Sequence, residues 1–169
     1  MEPLTRVTFT APGEPVAQPR QRFRIVAPRG QRPYVVPYQE TDHPVHEFKR
    51  RVREAYIGAA RRQLDIDPAR DAVSMRVLAV FPVPPSRYRV TRRNDVAFMA
   101  IKPDIDNIVK AVADAMQGVA WPDDAVVAML SAAKLEAMDA TKARTEVTLE
   151  VVPRHIGIEE LQRDLEFVL

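Results

Sequence analysis

The sequence has no cysteine and no long hydrophobic run. Without cysteine, a disulfide framework and a cysteine-ligated zinc site are both excluded, and nothing points to an oxidising compartment. The longest uninterrupted apolar stretch, AVVAML at 125–130, is far shorter than the ~20 residues that span a bilayer. The first ten residues, MEPLTRVTFT, contain an acid and do not resemble a signal peptide. We therefore expect a cytoplasmic protein with no membrane association.

The chain has enough apolar material for one hydrophobic core. It is 169 residues long and 46% hydrophobic, which is the size and composition of a single globular domain. No internal repeat, low-complexity tract or long linker divides it. We predict one domain over residues 1–169.

The charges divide the chain into two halves of opposite sign. Residues 1–93 hold 18 basic and 9 acidic side chains, a net charge of +9, whereas residues 94–169 hold 7 and 14, a net charge of −7. Of the 25 basic residues 20 are arginine, whose planar guanidinium suits phosphate. The pattern predicts a polyanionic partner, although a GC-rich genome, which enriches arginine and alanine together, explains the arginine content equally well.

The apolar and polar patterns predict an α+β (mixed α/β) fold, with a small mixed sheet packed by two or three helices. In the first half of the chain we predict a strand at 4–10, two short strands at FRIV and PYVV, a helix from about Asp42 with Asp42 as its cap, and a strand at 72–83. In the second half we predict a helix from Asp104 to about Gly118, strands from Ala125 to about Glu136 and from Arg144 to Val152, and a short amphipathic C-terminal helix. The loop after residue 83 carries Arg87, Arg89, Arg92 and Arg93, which suggests a mobile flap over a ligand.

The densest acidic cluster lies in KPDIDNIVKAVADAM, residues 102–116. On a helical wheel its core-facing stripe is Ile105, Ile108, Val109, Val112 and Met116. Because Pro103 favours an extended residue before it, the helix should begin with Asp104 near the N-cap and Asp106 in the first turn. Helix capping and an i, i+4 ladder of Asp106, Lys110 and Asp114 explain these charges without any function.

A second acidic pair, in Trp121-Pro122-Asp123-Asp124, makes the cluster harder to explain by capping alone. Two adjacent carboxylates repel each other, and the nearest downstream base is Lys134. Carboxylate oxygens are the ligands that Mg²⁺ prefers. We expect Asp104, Asp106 and Asp124 to bind one metal ion, which activates a water molecule for attack on a phosphodiester. Lys110 is expected to stabilise the negative charge that develops on the phosphoryl group.

These motifs resemble the RusA family of Holliday junction resolvases. In that family a K-P-D-x-D-N-x-x-K-x-x-x-D-A helix is followed by a W-x-D-D turn and a strand ending in lysine, as in residues 102–134 here. Weaker agreement extends to GEPVAQPRQR, Gly13 to Arg22. Val126, Gln18 and Gln21 depart from the family pattern, at positions that affect DNA contact and sequence preference more than hydrolysis.

The resemblance implies a homodimer that nicks opposed strands of a four-way DNA junction with Mg²⁺ or Mn²⁺, acts on the nucleoid and needs no organic cofactor. It implies that Asp114 is structural. The implied catalytic residues are Asp104, Asp106, Lys110 and Asp124, and the implied metal ligands are Asp104, Asp106, Asp123 and Asp124. The implied DNA-binding residues are Arg20, Arg22, Arg24, Arg92, Arg93, Lys102 and Lys134.

Other functions are also compatible with parts of the sequence. A PD-(D/E)xK nuclease is excluded, because the strand offers Ser131-Ala132-Ala133 before its lysine, and a haloacid-dehalogenase-like phosphatase is disfavoured because no apolar strand precedes the D-x-D motif. A non-catalytic nucleic-acid-binding or assembly protein, and a nuclease acting on other branched DNA, remain alternatives. The preferred cleavage sequence, the number of metal ions and a cellular or phage origin stay open.

Several further side chains have two interpretations. His43 and His46 are three residues apart, but no third ligand is spaced to join them, so an ordinary helix start is favoured. Trp121 is predicted as a buried anchor beneath the acid pair. The aromatic residues Phe23, Tyr34 and Tyr38 are interleaved with arginines, and they either stack on exposed bases or pack within the protein.

Overall fold

The computed structural model describes residues 3–38, 41–87 and 96–155. Within these ranges the elements are β1 (Arg6–Pro12), β2 (Arg22–Val26), β3 (Tyr34–Tyr38), α1 (Val45–Ala60), β4 (Asp71–Pro82), β5 (Val96–Phe98), α2 (Ile105–Met116), β6 (Val127–Ala137) and β7 (Arg144–Pro153). This is a mixed α+β fold, as the sequence predicts. Across these ranges, neither helix is both long enough and apolar enough to cross a membrane.

A five-stranded sheet forms the centre of the fold, with the strand order β1-β7-β4-β6-β5. All neighbouring strands are antiparallel except β4 and β6, which are parallel. A parallel pair requires a crossover connection, and here the crossover contains β5 and α2. The sheet therefore determines where α2 lies, with its acidic end following β5 and its other end leading into β6.

Both helices cover the same face of this sheet. Residues that alternate along β1 (Val7, Phe9 and Ala11) point into a core shared with α1, α2, β4 and β7. The Phe9 and Tyr56 rings meet edge to face, with their centroids 5.6 Å apart. The buried side chains of α2 are Ile108, Val109, Ala111, Val112, Ala115 and Met116. One continuous core thus fixes α2 against the sheet.

A partly buried ion pair joins the two helices. The Lys49 ammonium on α1 lies 2.7 Å from the Asp114 carboxylate on α2, and both side chains are largely shielded from solvent. Because α1 also packs on β1, this contact helps to fix the rotation of α2 about its own axis. That rotation determines which of its side chains face solvent.

Strands β2 and β3 form a separate two-stranded ribbon. Directly opposed residues share a face, so Arg22, Arg24, Tyr34 and Tyr38 lie together on one side. The other side carries Phe23, Ile25, Val35 and Pro37. A ribbon of two strands is marginally stable alone, and its large side chains are mostly exposed.

The prediction for the start of α2 is confirmed, since Asp104 is the N-cap residue and Asp106 lies in the first turn. Three other details are wrong. The helix ends at Met116 rather than near Gly118, Ile105 is exposed instead of joining the core stripe, and the following strand begins at Val127 because residues 124–126 form a 3-10 turn. Ile105 is exposed because the first helical turn extends past the edge of the core.

The cap of α1 also differs from the prediction. The helix begins at Val45, and the Nδ1 atom of His43, not the Asp42 carboxylate, accepts a hydrogen bond from the Val45 N–H at 3.1 Å. His43 therefore has an ordinary role at a helix start. The predicted sequence of strands and helices is otherwise reproduced, with the addition of the three-residue strand β5. The predicted C-terminal helix and most of the predicted flap lie outside the described residues.

Breaking the contact between the helices should destabilise the protein. We expect a double-mutant cycle of Lys49→Ala and Asp114→Ala to give a coupling of about 1 kcal/mol in urea unfolding, because the pair is partly buried. The exposed Glu47–Arg50 pair on α1 is the matched control, and it should show a smaller coupling. Equal couplings for the two pairs would contradict a special role for Lys49 and Asp114.

Candidate active site

Two carboxylates stand at the N-terminal end of α2. Asp104 has extended backbone angles (φ −70°, ψ 141°) and its side chain makes no capping hydrogen bond. Asp106 follows in the first turn, and both residues are exposed. The helix dipole stabilises negative charge at this position. Within the described residues neither carboxylate forms a hydrogen bond or ion pair, so all four oxygens are available to a ligand.

Lys110 lies one turn beyond Asp106 on the exposed side of α2. The i, i+4 ladder that would explain these charges without function is not formed within the described residues. Asp114 pairs with Lys49 instead, and Lys110 has no ion pair there with either acid. Asp114 thus has a structural contact, whereas Asp106 and Lys110 remain unpaired on the surface.

Lys134 holds the loop that leads into Asp104. Its ammonium donates hydrogen bonds to the carbonyl oxygens of Ile101 and Pro103, at 2.7 and 2.6 Å. Two of its three N–H groups are therefore used within the chain. The sequence suggested a DNA contact for Lys134, and the observed contacts add a second role, which is to position the backbone next to Asp104.

Trp121 holds the other acidic pair. Its indole is fully buried, as predicted, and its Nε1–H donates to the Asp124 Oδ1 atom at 2.7 Å. The neighbouring Asp123 Oδ1 atom accepts a hydrogen bond from the Ala125 N–H at 2.7 Å and so caps the 3-10 turn. Each of these acids therefore has one oxygen engaged within the chain.

The expected convergence of Asp104, Asp106 and Asp124 is not observed. Within residues 3–38, 41–87 and 96–155, no three Asp, Glu or His side chains form a group that could hold a metal ion. The contacts give the physical reason. Asp124 is tied to Trp121, which pairs with Gln117 just beyond the C-terminal end of α2. A 12-residue helix is about 18 Å long, and Asp104 and Asp106 lie at its other end.

The donor set at the start of α2 still suits Mg²⁺. This ion keeps several waters and is usually held by one or two carboxylates together with substrate phosphate oxygens. Asp104 and Asp106 provide two exposed carboxylates without competing partners among the described residues. A closed cage of three protein ligands is not needed for such a site.

The segment Gly13–Arg22 lies against the acidic helix. The Gln18 backbone N–H donates to the Asn107 carbonyl oxygen at 2.8 Å, and Ala17 packs against Ile108. As a result, a cleft of about 390 Å³ opens beside Lys110, with Gln18, Arg20 and Tyr38 among its walls. In the sequence, Gln18 stands out only as a departure from the family pattern at a position that affects DNA contact.

The remaining predicted DNA-binding residues come from both halves of the chain. Arg22 and Arg24 are exposed on β2, and Lys102 is exposed on the loop before α2. Arg92 and Arg93 lie outside the described residues. Arg87, at the base of the predicted flap, forms a double hydrogen bond at 2.7 and 2.9 Å to Glu136, a buried carboxylate that the sequence did not reveal.

Removing the Lys134 ammonium should loosen the loop before Asp104. We expect Lys134→Met to lower the free energy of unfolding by about 3 kcal/mol, since it removes two hydrogen bonds from a charged group and such bonds contribute about 1.5–3 kcal/mol each. Hydrogen exchange of the amides at 101–106 should become faster. Lys142→Met, at an exposed lysine on the 3-10 turn 140–142, is the control and should change neither quantity. Unaltered exchange at 101–106 in Lys134→Met would refute the positioning role.

A comparison with known protein families identifies the family of this chain. A family model described as Endodeoxyribonuclease RusA matches residues 12–150, which include α2, the acidic turn after it and Lys134. A comparison with curated proteins finds no match. The match covers most of the 169 residues, and the chain therefore belongs to the RusA endodeoxyribonuclease family.

Proposed function

We propose that this protein is a Mg²⁺-dependent, structure-selective endodeoxyribonuclease that resolves Holliday junctions by paired symmetric nicks. The observation that carries the proposal is the pair of exposed carboxylates, Asp104 and Asp106, with Lys110 one turn beyond Asp106, in a chain of the RusA family. None of these three side chains has a partner among the described residues. Three charged groups of this kind, exposed together on a rigid helix, suit hydrolysis of a phosphodiester.

Asp104 and Asp106 are the proposed metal ligands at the start of α2, with Asp124 and Asp123 as additional acids. A bound Mg²⁺, or Mn²⁺ in its place, polarises the phosphodiester and lowers the pKa of an attacking water. The chain's contribution is to hold the two carboxylates on a helix whose buried side is fixed in the core. Lys134 donates hydrogen bonds to the carbonyl oxygens of Ile101 and Pro103 and so holds the loop before Asp104 in place.

Lys110 is the proposed electrostatic partner of the reacting phosphate. Its side chain is exposed and forms no ion pair within the described residues, so it can approach a phosphate oxygen directly. A cation placed where negative charge grows during hydrolysis stabilises the transition state more than the ground state. Because Lys110 shares a helix with Asp106, the distance between the two is fixed by the backbone.

Asp124 requires a change from the arrangement in the isolated chain. Its second oxygen, Oδ2, makes no hydrogen bond within the described residues, while Oδ1 is held by Trp121. We propose that Asp124 joins the reaction when DNA is bound, either through local movement or through a second metal ion. Trp121 then acts as a positioning residue that sets the direction of this carboxylate.

DNA binding is assigned to the basic residues Arg20, Arg22, Arg24, Arg92, Arg93, Lys102 and Lys134. Contacts from such residues to phosphates give affinity and orientation rather than sequence recognition. The four-way junction is the proposed substrate, and a homodimer would place two equivalent sites on opposed strands. Symmetry of this kind accounts for paired nicks.

Replacing one ligand carboxylate should separate catalysis from binding. We expect Asp106→Asn to lower the cleavage rate of a labelled four-way junction about 100-fold or more, because several kcal/mol of transition-state stabilisation are lost. Affinity for the junction, measured by gel shift, should be retained. Asp42→Asn, at an exposed acid before α1, is the matched control and should cleave normally.

The alternatives give different outcomes in this experiment. Full activity in Asp106→Asn would contradict the proposed active site. Binding without cleavage in the wild-type protein, with Mg²⁺ or Mn²⁺ present, would favour a non-catalytic nucleic-acid-binding or assembly protein. Faster cleavage of flaps or replication forks than of four-way junctions would indicate a nuclease for other branched DNA.

The salt dependence of binding should report the number of phosphate contacts. We expect the log–log plot of the junction association constant against salt concentration to have a slope near −0.9 per contact. Arg24→Ala, on the exposed basic side of β2, should make this slope less negative by about 0.9. Arg70→Ala, at an exposed arginine paired with Asp67, should leave the slope unchanged. A flat salt response of the wild type would exclude phosphate contacts altogether.

A further inference from the structure

The cleft beside Lys110 has walls from three separate parts of the chain. The loop at 18–21 forms one side, the end of β3 at Pro37 and Tyr38 forms another, and Lys110 of α2 closes it. Its volume of about 390 Å³ lies within the range of ~300–1,000 Å³ typical of small-ligand sites. Because Lys110 is also the proposed cation of the active site, anything bound in this cleft lies next to the reacting phosphate.

The chemistry of the walls suits a nucleotide. Tyr38 offers a partly exposed aromatic ring, and Pro19 and Pro37 add flat apolar surface. Arg20 and Lys110 supply two cations for a phosphate, and among the described residues that line the cleft none is acidic. An aromatic surface next to cations is how proteins bind single-stranded nucleic acid, by base stacking together with phosphate contacts.

Gln18 provides the group that could recognise a base edge. Its Oε1 atom is buried and has no hydrogen-bond donor among the described residues. Its backbone is held in place by the 2.8 Å hydrogen bond to Asn107 on α2. A buried acceptor without a donor costs free energy, and a ligand in the cleft could supply that donor once the Gln18 side chain turns toward it. An amino or imino N–H of a base is a suitable donor.

A base within a continuous duplex cannot reach this cleft. Its two faces are covered by neighbouring bases, so stacking on Tyr38 requires a base that is unpaired or has left the helix. Leaving the stack costs less where pairing is already interrupted. Branch points are such places, because the strands exchange partners there.

We propose that this cleft binds one unpaired nucleotide next to the scissile phosphate, with its base against Tyr38 and Gln18 and its phosphate near Arg20 and Lys110. The inference rests on the proposed function and deepens it, since it identifies how the same site distinguishes branched DNA from duplex. The cleft, rather than the acids, then provides the structural selectivity of the enzyme.

The test removes the base and the aromatic ring separately and together. Four-way junctions are prepared with one abasic nucleotide at each position next to the branch point in turn, and kcat/KM for cleavage is measured with Mg²⁺. For the wild-type protein we expect one position at which the abasic nucleotide lowers kcat/KM roughly tenfold, which is a typical effect of losing base–aromatic stacking. At that position the Tyr38→Leu variant should cleave intact and abasic junctions with equal kcat/KM, because it has no aromatic ring on which the base could stack.

Tyr34→Leu is the matched control, since Tyr34 lies on the same strand and the same face as Tyr38 but does not line the cleft. It should keep the sensitivity of the wild type to the abasic position. If the wild type cleaves every abasic junction as fast as the intact one, or if Tyr38→Leu keeps the full tenfold sensitivity, the inference is wrong while the proposed function stands. If no junction is cleaved at all, the proposed function fails and the inference fails with it.

Discussion

One charged side chain of α2 makes a structural ion pair, whereas two others are exposed and available to a ligand. Asp114 faces α1 and is paired with Lys49, whereas Asp106 and Lys110, which occupy the same polar side of the helix, are left without partners in the described part of the chain. If Lys49 did not hold Asp114, that carboxylate would be available to pair with Lys110 in the usual i, i+4 manner. The proposed site depends on this separation, because free carboxylates and a free ammonium are what a metal ion and a phosphate require.

The acids at both ends of α2 are supported by hydrogen bonds from residues on neighbouring elements. Lys134 bonds two carbonyls of the loop before Asp104, and Trp121 bonds Asp124 from within the core. Contacts of this kind fix the direction of reactive groups before a ligand arrives, which reduces the cost of ordering them during the reaction. The two supports come from different elements: Lys134 lies on β6, and Trp121 lies in the turn after α2, within the crossover that connects the parallel strands β4 and β6.

Much of the fold was predictable because its signals are local. Pro103 and two early acids mark the start of α2, and the alternation along β1 and β7 marks half-buried strands. The three-residue strand β5 is too short to show a period. The cap of α1 was mispredicted because Pro44 is its N-cap residue and the nearby acceptor is the His43 imidazole rather than the Asp42 carboxylate. The residue types of the candidate site can be proposed from the sequence, but their geometry cannot be predicted from it. A sequence does not show that Lys134 turns toward carbonyls, or that Asp124 is drawn toward Trp121 instead of toward Asp106, since both depend on packing between distant segments.

The central claim is that the carboxylates of Asp104 and Asp106 bind the divalent ion. The most direct measurement is the paramagnetic broadening of backbone amide resonances on titration with Mn²⁺ in the absence of DNA. The account predicts the earliest and strongest broadening at residues 104–107, at the start of α2, and its loss on competition with Mg²⁺. Strong broadening confined to other acids, such as Asp139 on its exposed turn, with no change at 104–107, would contradict it.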